Sequence, residues 1–194
     1  MSLDRREVSR YLGSGRRTLQ SEVEAYAAEC EAELFVSCSP RMGSRRLSCE
    51  ELTGESRDLA HHLRHCEQAI LFAVTLGAEA DLLLRRWSAR SMAKAAVGQA
   101  CCAVWLDQLC GDYCGTLAKD LGEGEYLTPP FSPGYGDWPL SAQGKVLSLL
   151  DAPRRMGLTL TQGGMLVPEK SITAVVGISD REEEACGQKC MRCD

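Results

Sequence analysis

The sequence predicts an α+β fold with a long central helix, and three stretches predict it. Residues 69–76 form an unbroken apolar run with β-branched members, closed by Gly77, which is the pattern of a strand covered on both faces. Residues 172–178 alternate small and branched apolar side chains suited to a covered sheet. Between them, residues 91–121 carry Met92, Ala96, Ala103, Leu106, Cys110, Tyr113, Leu117 and Leu121 at helical steps. At about 1.5 Å per residue that helix spans on the order of 45 Å, enough to be the spine of a domain.

The remaining elements follow in order. Residues 5–12 are expected to be helical, with Val8, Tyr11 and Leu12 as a short apolar face. A second helix over 19–36 presents Leu19, Val23, Tyr26, Ala27, Cys30 and Leu34, with Thr18 as its cap. Between the two, residues 13–17 read as a solvated turn with a basic end, Arg16-Arg17. Residues 45–51 suit a short strand, and Ser56 suits the cap of a helix running to Leu63. His61 and His65 would share a face of such a helix at metal-ligand spacing, but no acid or further ligand lies at a telling spacing and the polar context fits an exposed helix. Residues 78–87 make another helix. The first half of the long helix is rich in Ala, Gly and Cys, so a neighbour packs closely against it. Residues 141–150 are helical, 151–155 form a further turn and 158–161 a strand. No internal repeat is present.

With 194 residues, 44% hydrophobic and 25% charged, the chain can bury one sizeable core. We expect one domain over residues 1–180 and a cysteine-rich tail over 181–194. A net charge of −5 argues against nucleic acid as the main partner. No run reaches the roughly 18 apolar residues that span a bilayer, and the N-terminus lacks the apolar core of a signal peptide, so a cytoplasmic location away from membranes is expected. Of eleven cysteines, eight sit in apolar patterns where a thiol acts as a small hydrophobe.

Two segments point to chemistry. The tail places Cys186, Cys190 and Cys193 at C-x₃-C-x₂-C spacing, able to wrap zinc or an iron–sulfur cluster once a fourth ligand is found, or else to remain a reduced, unliganded tail. Residues 128–140 hold four prolines, Pro129, Pro130, Pro133 and Pro139, around Phe131, Gly134, Tyr135, Gly136, Asp137 and Trp138. Prolines fix φ and glycines admit positive φ, so the segment is either a rigid connector or a ligand loop. No catalytic triad, phosphate-binding Gly-rich loop or H-E-x-x-H motif occurs, so any chemistry would belong to bound cofactors.

Residues 128–140, together with 156–161 and 167–179, resemble the activation domain of cobalamin-dependent methionine synthase. Its free-standing relatives also carry patterns similar to Arg10-Tyr11-Leu12-Gly13 and Ala73-Val74-Thr75-Leu76-Gly77, so the resemblance covers most of residues 5–179. It implies a mixed or antiparallel sheet and a site where S-adenosylmethionine offers its methyl group to a cobalamin carried by a partner. A flavodoxin-like or ferredoxin-like donor would supply an electron. In that family the turn matching Pro133, Gly134, Tyr135 and Gly136 lines the ligand site, and a carboxylate from the long helix approaches it, here Asp107 or else Asp112. Asp137 would hold the ligand's ammonium or cap the turn or the following helix. The chain departs from the pattern at Pro130, where the family has an arginine that grips the ligand carboxylate; proline has no side-chain donor. Arg154, Arg155 or the Arg16-Arg17 pair would have to replace it.

The resemblance thus implies an accessory protein that acts in trans on a corrinoid-binding protein or a truncated methionine synthase, supporting S-adenosylmethionine-dependent reductive remethylation. The alternative is a non-enzymatic companion that has lost S-adenosylmethionine binding and uses its cysteine tail for metal binding or electron delivery. A third is a plain structural subunit of a corrinoid methyltransferase complex.

Overall fold

The computed structural model describes residues 2–15, 18–54 and 56–182. Arg16, Arg17, Cys186, Cys190 and Cys193 lie outside them. The elements are α1 (Arg5–Tyr11), α2 (Ser21–Ser37), β1 (Arg41–Ser48), α3 (Glu50–Thr53), α4 (Arg57–His62), β2 (Cys66–Thr75), α5 (Ala78–Ser88), α6 (Met92–Lys119) and β3 (Tyr126–Leu127), followed by a 3-10 turn (Leu140–Ala142), α7 (Gln143–Leu150), α8 (Ala152–Met156), β4 (Thr159–Leu160), β5 (Leu166–Val167) and β6 (Ser171–Ser179). The expected α+β class is borne out, with a four-stranded sheet in the order β1-β2-β6-β3. The described residues group into two compact units, one drawn from those up to Arg41, Val74–Gly111 and Leu166–Ser171, the other from Met42–Ala73, Asp112–Met165 and those from Ile172 to Glu182.

The first unit is helical. Asp4 caps α1 by accepting from the Arg6 amide at 2.8 Å. Arg5 then pairs with Glu24 at 2.8 Å and Glu31 at 2.6 Å of α2. Helix α2 begins three residues beyond the expected Thr18 cap, because Gln20, its actual N-cap, is held extended at φ −66° and ψ 153°. It buries Ala27, Cys30 and Leu34 at helical steps. Helix α5 follows its N-cap Gly77, whose φ of +89° favours glycine. It buries Ala80, Leu83, Leu84 and Trp87.

The close neighbour expected along the first half of α6 is Trp87: a Cβ added to Gly98 would lie 2.5 Å from the ring carbon Cζ3. The expected apolar stripe needs correction in this half. Met92 is 74% exposed and Ala96 is exposed, whereas Ala95, Val97, Ala100, Cys101, Cys102, Val104, Trp105 and Leu106 are buried. Burial extends beyond a single stripe in the middle of the helix, so a one-face pattern chose the wrong starting position. Burial also pushes the thiols of Cys30 and Cys38 up to about 11, and those of Cys101 and Cys102 up to about 12, which makes them inert hydrophobes at neutral pH.

The second unit holds the sheet. Strand β2 is buried from Ala69 onward and β6 is buried at all positions but Ile172, as central strands require. Gly177 lies where a Cβ would meet Cys66 Sγ at 2.5 Å and Leu63 Cδ2 at 2.8 Å. Strand β1 occupies Arg41–Ser48 and not the expected 45–51; only Gly43 and Leu47 are buried, and the chain turns at Cys49 into the short helix α3. Helix α4 begins where expected: Ser56 Oγ accepts from the Leu59 amide at 2.9 Å. It ends at His62, so His65 lies beyond it, and the Cys66 amide bonds to Leu63 O at 2.9 Å in the turn that intervenes. His61 and His65 therefore do not share a helix face. The helix expected over 141–150 appears as a 3-10 turn leading into α7, and the expected turn after it as α8.

Candidate functional site: a proline-braced aromatic turn

Strand β3 pairs antiparallel with β6, Tyr126 opposite Ser179 and Leu127 opposite Ile178. Thr128 continues the pairing through its amide to Gly177 O at 2.9 Å, and its hydroxyl accepts from the Gly177 amide at 2.8 Å. Pro129 and Pro130 have no N–H, so the ladder lapses for two residues. Phe131 resumes it in both directions with Val175, at 2.9 and 2.8 Å. The two prolines thereby form a short arch opposite the single residue Val176, bonded to β6 at each foot.

His62 fills the arch. Its Nε2 lies 2.8 Å from Pro129 O and 3.2 Å from Thr128 Oγ1, and since a carbonyl only accepts, Nε2 carries the proton. The His62 ring stacks on Phe131 with centroids 5.0 Å apart, and Phe131 also stacks with the buried ring of Trp138 at 6.1 Å. Tyr135 meets Phe131 edge-on at 5.8 Å yet remains 58% exposed.

The turn itself is closed by its own backbone. The Tyr135 amide donates to Ser132 O at 3.0 Å, the Trp138 amide to Tyr135 O at 3.0 Å and the Gly134 amide to Trp138 O at 2.8 Å. This closure requires φ of +98° at Gly134 and +52° at Gly136. A Cβ on Gly136 would also strike the carboxylate of Asp58, with Cγ at 2.9 Å.

Asp137 is a cap, though for α4 and not for the helix that follows. Its Oδ1 accepts from the Ser56 hydroxyl and from the Asp58 amide at 3.1 Å; its Oδ2 accepts from the Arg57 amide at 3.0 Å. In return its own amide donates to Asp58 Oδ2 at 2.9 Å. The Ser56 hydroxyl, with the Asp58 and Arg57 amides, holds the Asp137 carboxyl below the usual carboxylate range. An ammonium at Asp137 would have to compete with these bonds.

The other candidate residues have settings of their own. Asp107 belongs to the first unit, where it accepts a hydrogen bond from the Tyr11 hydroxyl. Burial, then the bond to Asp107, raises the Tyr11 pKa. Asp112 is exposed on α6. Arg154 is held by Asp151 at 2.6 Å, and Arg155 reaches Ser44 O at 3.4 Å and Leu150 O at 3.3 Å, so these two of the cations expected to compensate for Pro130 are engaged. Among the described residues no group of three or more His, Cys, Asp or Glu side chains is placed to hold a metal, and no helix is long and apolar enough to cross a membrane.

Two residues that build the site carried no signal as site residues in the sequence. His62 stood between two histidines at more suggestive spacing, and Asp58 was one acid in the first turn of a helix. Their partners lie 67 residues from His62 and 79 from Asp58, beyond any local pattern.

No protein-family model matches the chain, and no curated protein matches it. Among solved structures, the fold is similar to the crystal structure of the MetH reactivation domain bound to AdoHcy, with a TM-score of 0.59 and 15% sequence identity. The match covers 80% of this chain and 64% of that one. At this identity the likeness is one of fold.

Proposed function

We propose that the chain is an accessory of reactivation-domain type that docks on a corrinoid-bearing protein, or a truncated methionine synthase, and supports its reductive remethylation in trans. The observation that carries this reading is the pre-formed turn at residues 133–138, which holds Tyr135 exposed on a fold similar to a reactivation domain bound to AdoHcy. When bound, S-adenosylmethionine would supply the methyl group, cobalamin on the partner would receive it, and a flavodoxin-like or ferredoxin-like protein would deliver the electron.

The residues present fit part of that ligand. The exposed face of Tyr135 suits a sulfonium, which an aromatic ring attracts. The amides of Gly134, Tyr135, Asp137 and Trp138 are engaged within the turn or with Asp58, so the backbone contribution falls largely to carbonyl oxygens. For the ligand's carboxylate the loop provides no cation. These facts support a second reading: a companion that keeps the docking surface, binds S-adenosylmethionine weakly, and employs Cys186, Cys190 and Cys193 for metal binding or electron delivery.

Calorimetry with S-adenosylmethionine and AdoHcy on the natural chain and on Pro130→Arg separates the two. A charge-assisted carboxylate contact is worth roughly 1.5–3 kcal/mol, so restoring it should tighten binding about ten- to hundredfold. Tight binding by the natural chain, unaltered by the substitution, would remove the case for the second reading. Absence of binding in both, with no capture of a corrinoid protein, would remove the first. For the tail, anaerobic loading with zinc, or with iron and sulfide, should give a complex lost in a Cys186→Ser, Cys190→Ser, Cys193→Ser variant that still folds.

A further inference from the structure

We propose that the outward face of α2 and α5, wholly within the first unit, is a two-fold interface on which a second copy of this chain docks. Val36 on α2 is 88% exposed, the most exposed large hydrophobic side chain among the described residues, and Leu82 on α5 is 61% exposed. The two stand level with each other. Glu33 of α2 forms an ion pair with Arg86 of α5 and accepts the Trp87 indole N–H at 3.2 Å, whereas Ser39, just past the end of α2, faces the start of α5, where a Cβ on Gly77 would lie 3.9 Å from its carbonyl oxygen. The helices therefore run antiparallel, and Val36, midway between Glu33 and Ser39, falls opposite Leu82, about midway between Arg86 and Gly77. All of α2 and α5 is described, and α2 alone puts about 20 Å between Val36 and the first turn, which Arg16 and Arg17 precede.

Single apolar side chains on a surface are ordinary, and the order of charge around these two is what selects the occupant. Along α5, Glu79 lies about one turn before Leu82 and Arg86 about one turn after it, all three exposed. At about 100° per residue Glu79 and Arg86 fall within about 20° of each other, on the same side of Leu82. An acid, an apolar centre and a base in that order are their own complement when the helix is reversed. A two-fold axis beside Leu82 sets it against Leu82 of the second copy, with Glu79 of each copy against Arg86 of the other. Arg86 meets Glu33 through Nη2 alone, so its guanidinium has further N–H groups to offer. Exposed Ala78 and Ala89, small residues on the same face, let the helices approach closely. An unrelated partner would have to carry a base, an apolar residue and an acid in matching register. A face of this size belongs at the low end of interface areas, so the dimer is a weak one.

The test is sedimentation velocity on the full chain in reductant, which keeps cysteines from cross-linking copies. Monomer and dimer should exchange with concentration. Leu82→Asp should raise the dissociation constant by about a hundredfold or more, because two leucines leave each interface. Glu79→Arg and Arg86→Glu should each raise it about tenfold alone, and an equimolar mixture of the two should dimerise again, since in the mixed dimer each arginine meets a glutamate. If loss of the bond to Glu33 prevents Arg86→Glu from folding, Leu82→Cys decides: in a Cys186→Ser, Cys190→Ser, Cys193→Ser background, mild oxidation should link two copies through Cys at 82, and the background alone should stay unlinked. A chain still monomeric at about 1 mM, as it would be if its own residues 183–194 covered the face, would overturn the proposal. A dimer indifferent to Leu82→Asp would place the contact elsewhere and overturn it too, and charge-reversed variants that mixing does not restore, or Leu82→Cys that does not link, would overturn the two-fold register.

Discussion

Substituting Gly136 with alanine tests whether the aromatic turn depends on its hold on α4. Two costs arise. Gly136 sits at φ +52°, a left-handed conformation that costs an alanine roughly 1 kcal/mol. The new Cβ would also lie 2.9 Å from Asp58 Cγ and 3.0 Å from Asp58 Cβ, so the carboxylate must swing away and release the Asp137 amide it accepts at 2.9 Å. Losing that bond at an exposed position adds about 1 kcal/mol, for a total of about 2 kcal/mol. In a chain of this length that corresponds to a fall in Tm of roughly 4–8 °C. Urea unfolding followed by tryptophan fluorescence suits the measurement, since Trp138 is buried against Phe131. The decisive comparison repeats Gly136→Ala in an Asp58→Gly background, where the whole side chain, Cβ included, is absent and about 1 kcal/mol should remain. Equal costs in both backgrounds would show that Asp58 does not confine the turn, and a neutral Gly136→Ala would refute the left-handed geometry as well.

Three further outcomes are expected. Gly98→Ala should destabilise the protein by about 1–2 kcal/mol in thermal melts, because overpacking against the buried Trp87 ring outweighs the roughly 1 kcal/mol that alanine gains in a helix; a rise in Tm would mean that the ring yields. Tyr135→Ala should change stability by less than about 0.5 kcal/mol, as for an exposed side chain, yet weaken capture of a corrinoid protein; a loss near 3 kcal/mol with capture intact would place the ring in the core. Asp137 has a folded-state pKa below its ordinary 3.8, so its contribution is fully present above that value and disappears as pH falls through the lowered one. Asp137→Asn should therefore flatten the acid limb of stability against pH below about 4, and an unchanged limb would mean that the capping network does not bear on folding.

What the sequence disclosed followed period and composition. The run ending at Gly77 and the alternation in 172–178 marked the two central strands because burial on both faces leaves an unmistakable apolar record. Ser56 was legible as a cap since its partner, the Leu59 amide, lies three residues on. The start of α2 and the buried face of α6 were read less well: Gln20 is extended ahead of its helix, and Trp87 presses on Gly98 from another helix, a tertiary contact that no local period records. Within the candidate site, the glycines and Tyr135 announced a turn through their own conformational demands. The partner of Asp137 did not, because nothing in a carboxylate's own neighbourhood says that it will cap a helix 80 residues earlier.

That long-range cap has a practical consequence for protein engineering. Residues 128–140 look like a self-sufficient cassette, braced by prolines and closed by their own hydrogen bonds. Their conformation is nevertheless written partly in α4, through Ser56, Asp58 and the ring of His62. Transplanted alone into another scaffold, the loop would arrive without the residues that orient Asp137 and stack Phe131, and Tyr135 would be presented at a different angle. The transferable unit is a discontinuous pair of segments, and homologue searches or designs that treat the proline-rich stretch as a linear motif will miss half of it.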